Sequence, residues 1–262
     1  MNYDQDVTES IPDSAAELRA ARSRSFGAEA AAYAEHRPDY PVAALEWGLP
    51  GGGRGRILDL AAGTGKLTGN LLSLGGVTVI AVEPDDGMRA ELSRRLPAVE
   101  AYPGTAERIP LPDNSVDAVF AGQAFHWFDV SSALTEIARI LRPGGTVAAL
   151  WNHDDESVPW VAAFSALVRT GVSRGWADAS RPLPEHPGFH PFDRARFPHA
   201  HRRTAETLTA TVATHSRFLV ATGAERAAAL AKVREFLRDT PETADGEFEL
   251  PLVTTVIRAE RR

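Results

Sequence analysis

The sequence predicts an open, doubly wound α/β fold: a mostly parallel sheet with helices on both faces and a helical insertion ahead of its last strand. Three observations carry this. Short apolar runs alternate with helix-period segments between positions 56 and 151, the rhythm of βαβ units. Those runs are apolar on both faces, as strands covered on both sides must be. A β-branched segment then returns at the C-terminal end.

Taken in order, residues 1–24 form a flexible segment with at most a short helix over Ala15–Arg22. From Phe26 the pattern AEAAAYAEH is helical and stops at Arg37-Pro38, because a residue before proline avoids the helical region. Pro41 opens a second short helix, VAALEWGL, ended by Gly51-Gly52-Gly53. RILDL (56–60) and VTVIAV (77–82) are strands, separated by the helix KLTGNLLSL (66–74). MRAELSRRL (88–96) is an amphipathic helix, VEAYPG (99–104) a third strand and VDAVFA (116–121) a fourth. SALTEIARIL (132–141) places Leu134, Ile137, Ala138 and Leu141 at helical spacing, and Pro143-Gly144-Gly145 separates it from the strand TVAALW (146–151).

Beyond Trp151 the rhythm changes. VPWVAAFSALVRT (158–170), TAETLTATVATHSRFL (204–219) and GAERAAALAKVREFL (223–237) are helical, and residues 175–200, rich in Pro, His, Gly and Arg, read as a long irregular loop. EFELPLVTTVIRAER puts Val253, Thr255, Ile257 and Ala259 on one face of a strand expected to be antiparallel at the far edge of the sheet. The expected organisation is a flexible segment (1–24), a core with N-terminal lid helices (25–150), a helical cap (151–240) and a returning edge strand (241–262).

Composition narrows the partners. The 262 residues are 44% hydrophobic and 24% charged, ordinary for a globular chain with a sizeable core. With no cysteine there is no disulfide, no thiolate nucleophile and no Cys-ligated zinc, which fits a reducing cytoplasm. The acidic start MNYDQDVTES is no signal peptide, and no run of about 18 apolar residues spans a membrane. A net charge of −7 without a Lys/Arg stripe argues against nucleic acid and for a small-molecule partner. Oligomeric state is not legible.

Ligands of such sheets bind beyond the carboxyl ends of the strands, near the switch in strand order. The first strand ends in LDLAAGTGKLT (58–68), where Gly63 and Gly65 let a ligand approach the backbone at a helix N-terminus. Glu83, at the end of the second strand, is placed to accept both hydroxyls of a ribose. A dinucleotide site wants G-x-G-x-x-G, but the third place here is Thr68. Asp59 beside the turn also disfavours a pyrophosphate and favours a cofactor carrying an ammonium and a sulfonium. Charge therefore selects S-adenosylmethionine over NAD.

The segments ILDLAAGTGKLT, VIAVEPDDGMRAEL, GTAERIPLPDNSVDAVFAGQAFHWFD and EIARILRPGGTVAALWN together resemble the class I S-adenosylmethionine-dependent methyltransferases. More narrowly they are similar to the small-molecule, type 11 group that includes trans-aconitate methyltransferase-like enzymes. The resemblance implies a Rossmann-like, mostly parallel seven-stranded sheet, S-adenosylmethionine as cofactor and S-adenosylhomocysteine as product. It implies that Asp59, Ala61, Gly63 and Gly65 hold the methionine end, that Glu83 binds the ribose, and that Pro84 and Met88 pack on the adenine. Thr105, where the family often carries Asp, or the backbone of Ala106 meets the adenine amino group. Gln123 and Ala124 lie beside the methionine, and Tyr33, Arg37 and Tyr40 belong to a segment folding over the cofactor, with Arg37 reaching its carboxylate.

GQAFHWFD (122–129) follows the fourth strand with four consecutive ring side chains. Its place implies an acceptor wall of Phe125 and Trp127, completed by Phe26 and Tyr40 from the N-terminal side and Trp151, Trp160 and Phe164 from the cap. Phe125 and Phe128 read equally as core. His126 is the candidate catalytic group, a neutral imidazole that either takes a proton or orients the acceptor. The acceptor atom stays open among O, N and C, reached by in-line displacement, and the acceptor is expected to be an apolar, aromatic or carboxylic secondary metabolite. Nucleic-acid or protein methylation, and cofactor binding without turnover, are the alternatives. Two patterns are read as accidental: GVSRG (171–175), a hydrolase-like motif outside a strand–turn–helix elbow, and His199 with His201 near Asp193, too few ligands for a metal. No metal site is expected.

Overall fold

The computed structural model describes residues 37–51, 55–168, 183–213 and 223–262. The segment 1–24, the helix expected from Phe26 up to Arg37-Pro38, and GVSRG lie outside the described residues. Five strands run parallel: β1 (Arg56–Leu60), β2 (Thr78–Val82), β3 (Glu100–Tyr102), β4 (Val116–Gly122) and β5 (Leu141–Asp154). β6 (Asp193–Thr204) and β7 (Glu247–Glu260) are antiparallel to each other, and β7 is antiparallel to β5. The order β3-β2-β1-β4-β5-β7-β6 makes the expected Rossmann-like, mostly parallel seven-stranded sheet with helical insertions. Its order reverses between β1 and β4, which places the switch point where the glycine turn emerges.

Helices cover both faces. α1 (Val42–Gly48) and α2 (Lys66–Ser73) bring Leu45, Leu67 and Leu71 onto Ile57, Phe120, Leu150 and Val256. α3 (Asp86–Arg95) begins where the Asp85 carboxylate accepts from the Met88 N–H at 2.8 Å, and its last turn carries Arg94 and Arg95 against the negative end of the dipole. α4 (Val130–Ile140) is capped by Asp129 and presents Ala133, Leu134, Ile137 and Ile140 to Leu58, Val119, Val147 and Ile257 on the opposite face. Each such fully buried Leu or Ile contributes about 1.5–3 kcal/mol.

The C-terminal region departs from the sequence expectation in two respects. The returning strand β7 is not at the edge but lies between β5 and β6, and the last part of the stretch expected to be irregular, from Asp193, belongs to the edge strand β6. DRARFPHAHRRT hid its strand character because edge strands carry charges and proline in place of apolar alternation. The β6–β7 pair also outruns the rest of the sheet. β5 ends at Asp154 opposite Leu252, whereas β6 and β7 stay paired to Thr204 and Glu247. Phe248 and Leu250 on that extension pack with α5 (Pro159–Val168), α6 (Ala205–Ala213) and α7 (Gly223–Asp239), giving the cap an apolar cluster of its own.

Candidate active site

The turn after β1 is built from buried carboxyls and left-handed backbone. Ala61, Gly63 and Gly65 all have positive φ, at 57°, 57° and 82°. A left-handed alanine is strained, and such strain collects at functional sites. Glu83 closes the turn from β2: its Oε2 accepts from the Gly63 N–H at 2.8 Å and its Oε1 from the Asp85 N–H at 2.9 Å. Each oxygen keeps a second acceptor position. Asp59 is buried on β1, and its Oδ2 accepts from the Thr68 hydroxyl at 2.6 Å. Its Oδ1 is buried without a hydrogen-bond partner among the described residues. Thr68 thus uses the place of a third glycine to hold this acid. Burial raises the Asp59 pKa to about 7 against the lowering effect of Thr68, with Glu83 raising it further. Burial likewise raises Glu83.

The end of β4 supplies the second half. Gln123 is left-handed, with φ 56°, and donates from Nε2 to the Asn152 carbonyl at 2.9 Å. A short 3₁₀ turn, Phe125–Trp127, follows. It drives Phe125 into the core against Phe128 and Trp151, at ring separations of 5.1 and 6.4 Å, and leaves His126 beside Trp127, the rings 4.9 Å apart and tilted by 42°. The His126 Nδ1 is buried and has no hydrogen-bond partner among the described residues, and burial lowers the imidazole pKa to about 4. The ring is therefore neutral at pH 7.

A third group joins the residues before α1 to the sheet. Asp39 accepts from Lys66 Nζ at 2.8 Å and from Asn70 Nδ2 at 3.1 Å. Asn152 donates to the Pro38 and Asp39 carbonyls at 3.5 and 3.2 Å. Tyr40 is 8% exposed, and its hydroxyl lies so close to Gly122 that a Cβ there would come within 2.5 Å of it.

Comparison with known proteins interprets this geometry. A methyltransferase-domain family model matches residues 58–149, the span from β1 into β5. A relative described as an uncharacterized methyltransferase of Mycobacterium tuberculosis (strain H37Rv) is 39% identical over 238 residues, covering 90% of this chain and 96% of its own. The chain belongs to the class I S-adenosylmethionine-dependent methyltransferases. An uncharacterized methyltransferase of Schizosaccharomyces pombe is 38% identical over 191 residues, 71% of this chain and 76% of its own. Among solved structures, a protein described as a type II methyltransferase from Anaeromyxobacter dehalogenans matches with TM-score 0.60 and 28% identity, over 86% of this chain and 97% of its own.

The methyltransferase fits the family's cofactor at the glycine turn. A Cβ on Gly63 would meet only Met88 Sδ, at 3.7 Å, so the turn's surface is open, and Asp59 Oδ1 is a buried acceptor awaiting a donor. Of the other expected cofactor residues, Met88, Ala106 and Ala124 are buried, while Pro84 and Thr105 are exposed and Thr105 bridges Arg108. Arg37 opens the described chain, and Tyr33 lies outside it, as does Phe26 of the expected acceptor wall. That wall is otherwise divided. Trp127 is half-buried beside His126 and Tyr40 reaches Gly122, but Phe125 and Trp151 belong to the sheet's core. Phe164 is 2% exposed inside the cap cluster, and Trp160 meets Phe248 edge-on at 5.9 Å. Sequence reasoning did not single out Asn70, Asn152 or Thr254. Among the described residues no helix is long and apolar enough to cross a membrane, and no group of three or more acidic or histidine side chains is placed to hold a metal ion.

Proposed function

We propose that the protein transfers a methyl group from S-adenosylmethionine to a small-molecule acceptor that approaches at the carboxyl end of β4. The observation that carries this reading is the pair of buried carboxyls at adjacent strand ends, Glu83 accepting from the Gly63 N–H and Asp59 from the Thr68 hydroxyl. Glu83 uses its remaining acceptor positions for the ribose hydroxyls. Asp59 directs its partnerless Oδ1 toward the cationic methionine end, with Ala61, Gly63 and Gly65 contributing backbone. Pro84 and Met88 flank the adenine, and Thr105 or Ala106 meets its amino group. Gln123, Ala124 and Arg37 hold the methionine, Arg37 at its carboxylate, with Tyr33 from the same segment.

The cofactor supplies an electrophilic methyl on a sulfonium. What the chain adds is placement, which can supply about 7–11 kcal/mol when reactants are aligned. His126 stands on the acceptor side as a neutral ring with a buried, partnerless Nδ1, able to hold a hydroxyl, amine or carboxyl group in line. Trp127 and Tyr40 wall that space, and the cap formed over β6 and β7 closes it. The net charge of −7 supports a metabolite over nucleic acid as acceptor.

Calorimetry with S-adenosylmethionine, S-adenosylhomocysteine and NAD tests the cofactor half. Binding of both adenosyl ligands and not of NAD is expected, and tight NAD binding would sink the reading. Turnover of labelled cofactor across a metabolite panel tests the acceptor half, and binding without any turnover on metabolites, peptides or RNA would make the protein a cofactor-binding one.

A further inference from the structure

Two amide side chains on separate elements grip the residues just before α1. On β5, Asn152 donates from Nδ2 to the Pro38 and Asp39 carbonyls at 3.5 and 3.2 Å, and its Oδ1 accepts from the Thr254 hydroxyl at 2.5 Å. On α2, Asn70 donates from Nδ2 to the Asp39 carboxylate at 3.1 Å, and its Oδ1 accepts from the Tyr40 N–H, also at 3.1 Å. Each amide therefore has both ends engaged by partners that fix which way it faces. Thr254, having given its only proton to Asn152, can only accept from His199 Nε2, 3.0 Å away. His199 thus carries its proton on Nε2, and a directional chain of hydrogen bonds runs from β6 through β7 and β5 to Asp39.

Asn152 also serves the other half of the site. Its main-chain carbonyl accepts from Gln123 Nε2 at 2.9 Å, and the Gln123 N–H donates to the Leu150 carbonyl at 2.8 Å, so β5 holds the left-handed residue that follows β4. Tyr40 reaches the same place from the N-terminal side, its hydroxyl lying within 2.5 Å of where a Cβ on Gly122 would stand. One residue of β5 therefore carries Gln123 by its main chain and the chain leading to Arg37 by its side chain. None of these bonds reaches Glu83 or Met88. Arginine is long and rotamer-rich, and a fixed backbone beside it reduces the ordering that binding must supply. The proposed function, on which this inference rests, gives both Arg37 and Gln123 to the methionine end of the cofactor.

We infer that Asn152 is a positioning residue whose side-chain amide fixes Pro38 and Asp39, and with them Arg37, against the methionine end of the cofactor beside Gln123. Recognition of the amino-acid part then depends on Asn152, and recognition of the adenosine part does not.

The test compares S-adenosylhomocysteine with methylthioadenosine, which keeps the adenosine and the thioether but lacks the amino-acid part. Asn152→Asp retains the acceptor for Thr254, sets a second oxygen against the two carbonyls in place of the donor, and leaves untouched the main-chain carbonyl that holds Gln123. Calorimetry should find S-adenosylhomocysteine bound ~10-fold or more weakly by Asn152→Asp, and methylthioadenosine bound within about twofold of the wild-type affinity. With Arg37→Ala already present, Asn152→Asp should cost little more, because the two changes act on one contact. Asn70→Ala, which removes the second grip, should show the same split, and it carries the comparison if Asn152→Asp does not fold. An equal loss for both ligands, as a loosened sheet would give, overturns the inference. So do unchanged affinities for both, or full additivity with Arg37→Ala. Wild-type protein that binds neither ligand overturns the proposed function and the inference with it, whereas wild-type binding without the split in the variants overturns the inference alone.

Discussion

Asp59 sits with one oxygen on Thr68 and the other without a partner among the described residues, and burial has raised its pKa to about 7. An ammonium brought beside it favours the ionised form. Binding of S-adenosylhomocysteine near pH 6 should therefore release a proton. Calorimetry in buffers of different ionisation enthalpy measures this, and Asp59→Asn should abolish the buffer dependence. Glu83→Ala should cost about 1.5–3 kcal/mol of cofactor affinity for each charge-assisted hydrogen bond lost, and unchanged affinity would remove Glu83 from the ribose. His126 has its pKa lowered to about 4, which makes it a weak base but a sound hydrogen-bond partner at neutral pH. His126→Ala should accordingly raise KM with a smaller change in kcat, the mark of lost positioning. A fall in kcat of about 10²-fold, together with loss of an acidic limb near pH 4, would instead make it the proton acceptor.

At the scale of elements, two joints hold the site in shape. Gly65 begins α2 with φ 82°, and a Cβ there would lie 2.9 Å from Leu92 Cγ on α3. Gly65→Ala combines a left-handed alanine with overpacking, an expected loss of about 1–3 kcal/mol in denaturant unfolding. Arg139 of α4 ties down the loop between β3 and β4, donating to the Leu111 and Ile109 carbonyls at 2.8 and 2.9 Å and pairing with Glu136 and Asp113. That loop carries Thr105 and Ala106. Arg139→Met should lower stability and also loosen the adenine end, seen as faster amide exchange across residues 105–113.

For the whole molecule the buried titratable groups set how stability follows pH. His126 and His201 both have pKa values lowered to about 4, chiefly by burial, from an ordinary 6.5. Between about 6.5 and 4 the unfolded chain binds protons that the folded chain does not, so their contribution is lost as pH falls. Asp59 acts in the opposite sense: with its pKa raised from 3.8 to about 7, its contribution is lost as pH rises through that range. Glu83, likewise raised by burial, acts with Asp59, and His199, lowered by burial, acts with the other imidazoles. Three imidazoles outweigh two carboxyls, and stability should rise between pH 4.5 and 6.5. Urea unfolding at several pH values checks this. Asp59→Asn should steepen the rise, and substituting His126 and His201 by Gln should flatten it. The cap offers a second test at this scale, because its apolar cluster is separate from those of the sheet. Exchanging residues 151–240 with those of a relative should change acceptor choice and leave cofactor affinity intact, and collapse of cofactor binding in a folded chimera would contradict that division.

What the sequence determined by itself was whatever depends on short-range pattern. Alternation of apolar runs with helical periods specified β1 to β5 and the helices between them, and turn chemistry marked Asp59, Gly63, Gly65 and Glu83, all within two consecutive βα units. The tertiary structure alone decided the strand order on the far side of the sheet, although the antiparallel return of β7 was legible. β6 carries no apolar period to betray it, since its strand form is imposed by pairing with β7. The ring cluster after β4 was legible as unusual, but only packing turned Phe125 inward and left His126 beside Trp127. The bonds that orient His199 join Thr254 to Asn152 and Asn152 to Asp39, residues 102 and 113 positions apart. No local propensity encodes such a contact. It exists because β7 returns antiparallel beside β5 after the whole cap, which sets Thr254 opposite Asn152, and because the residues before α1 meet the same carboxyl end of β5.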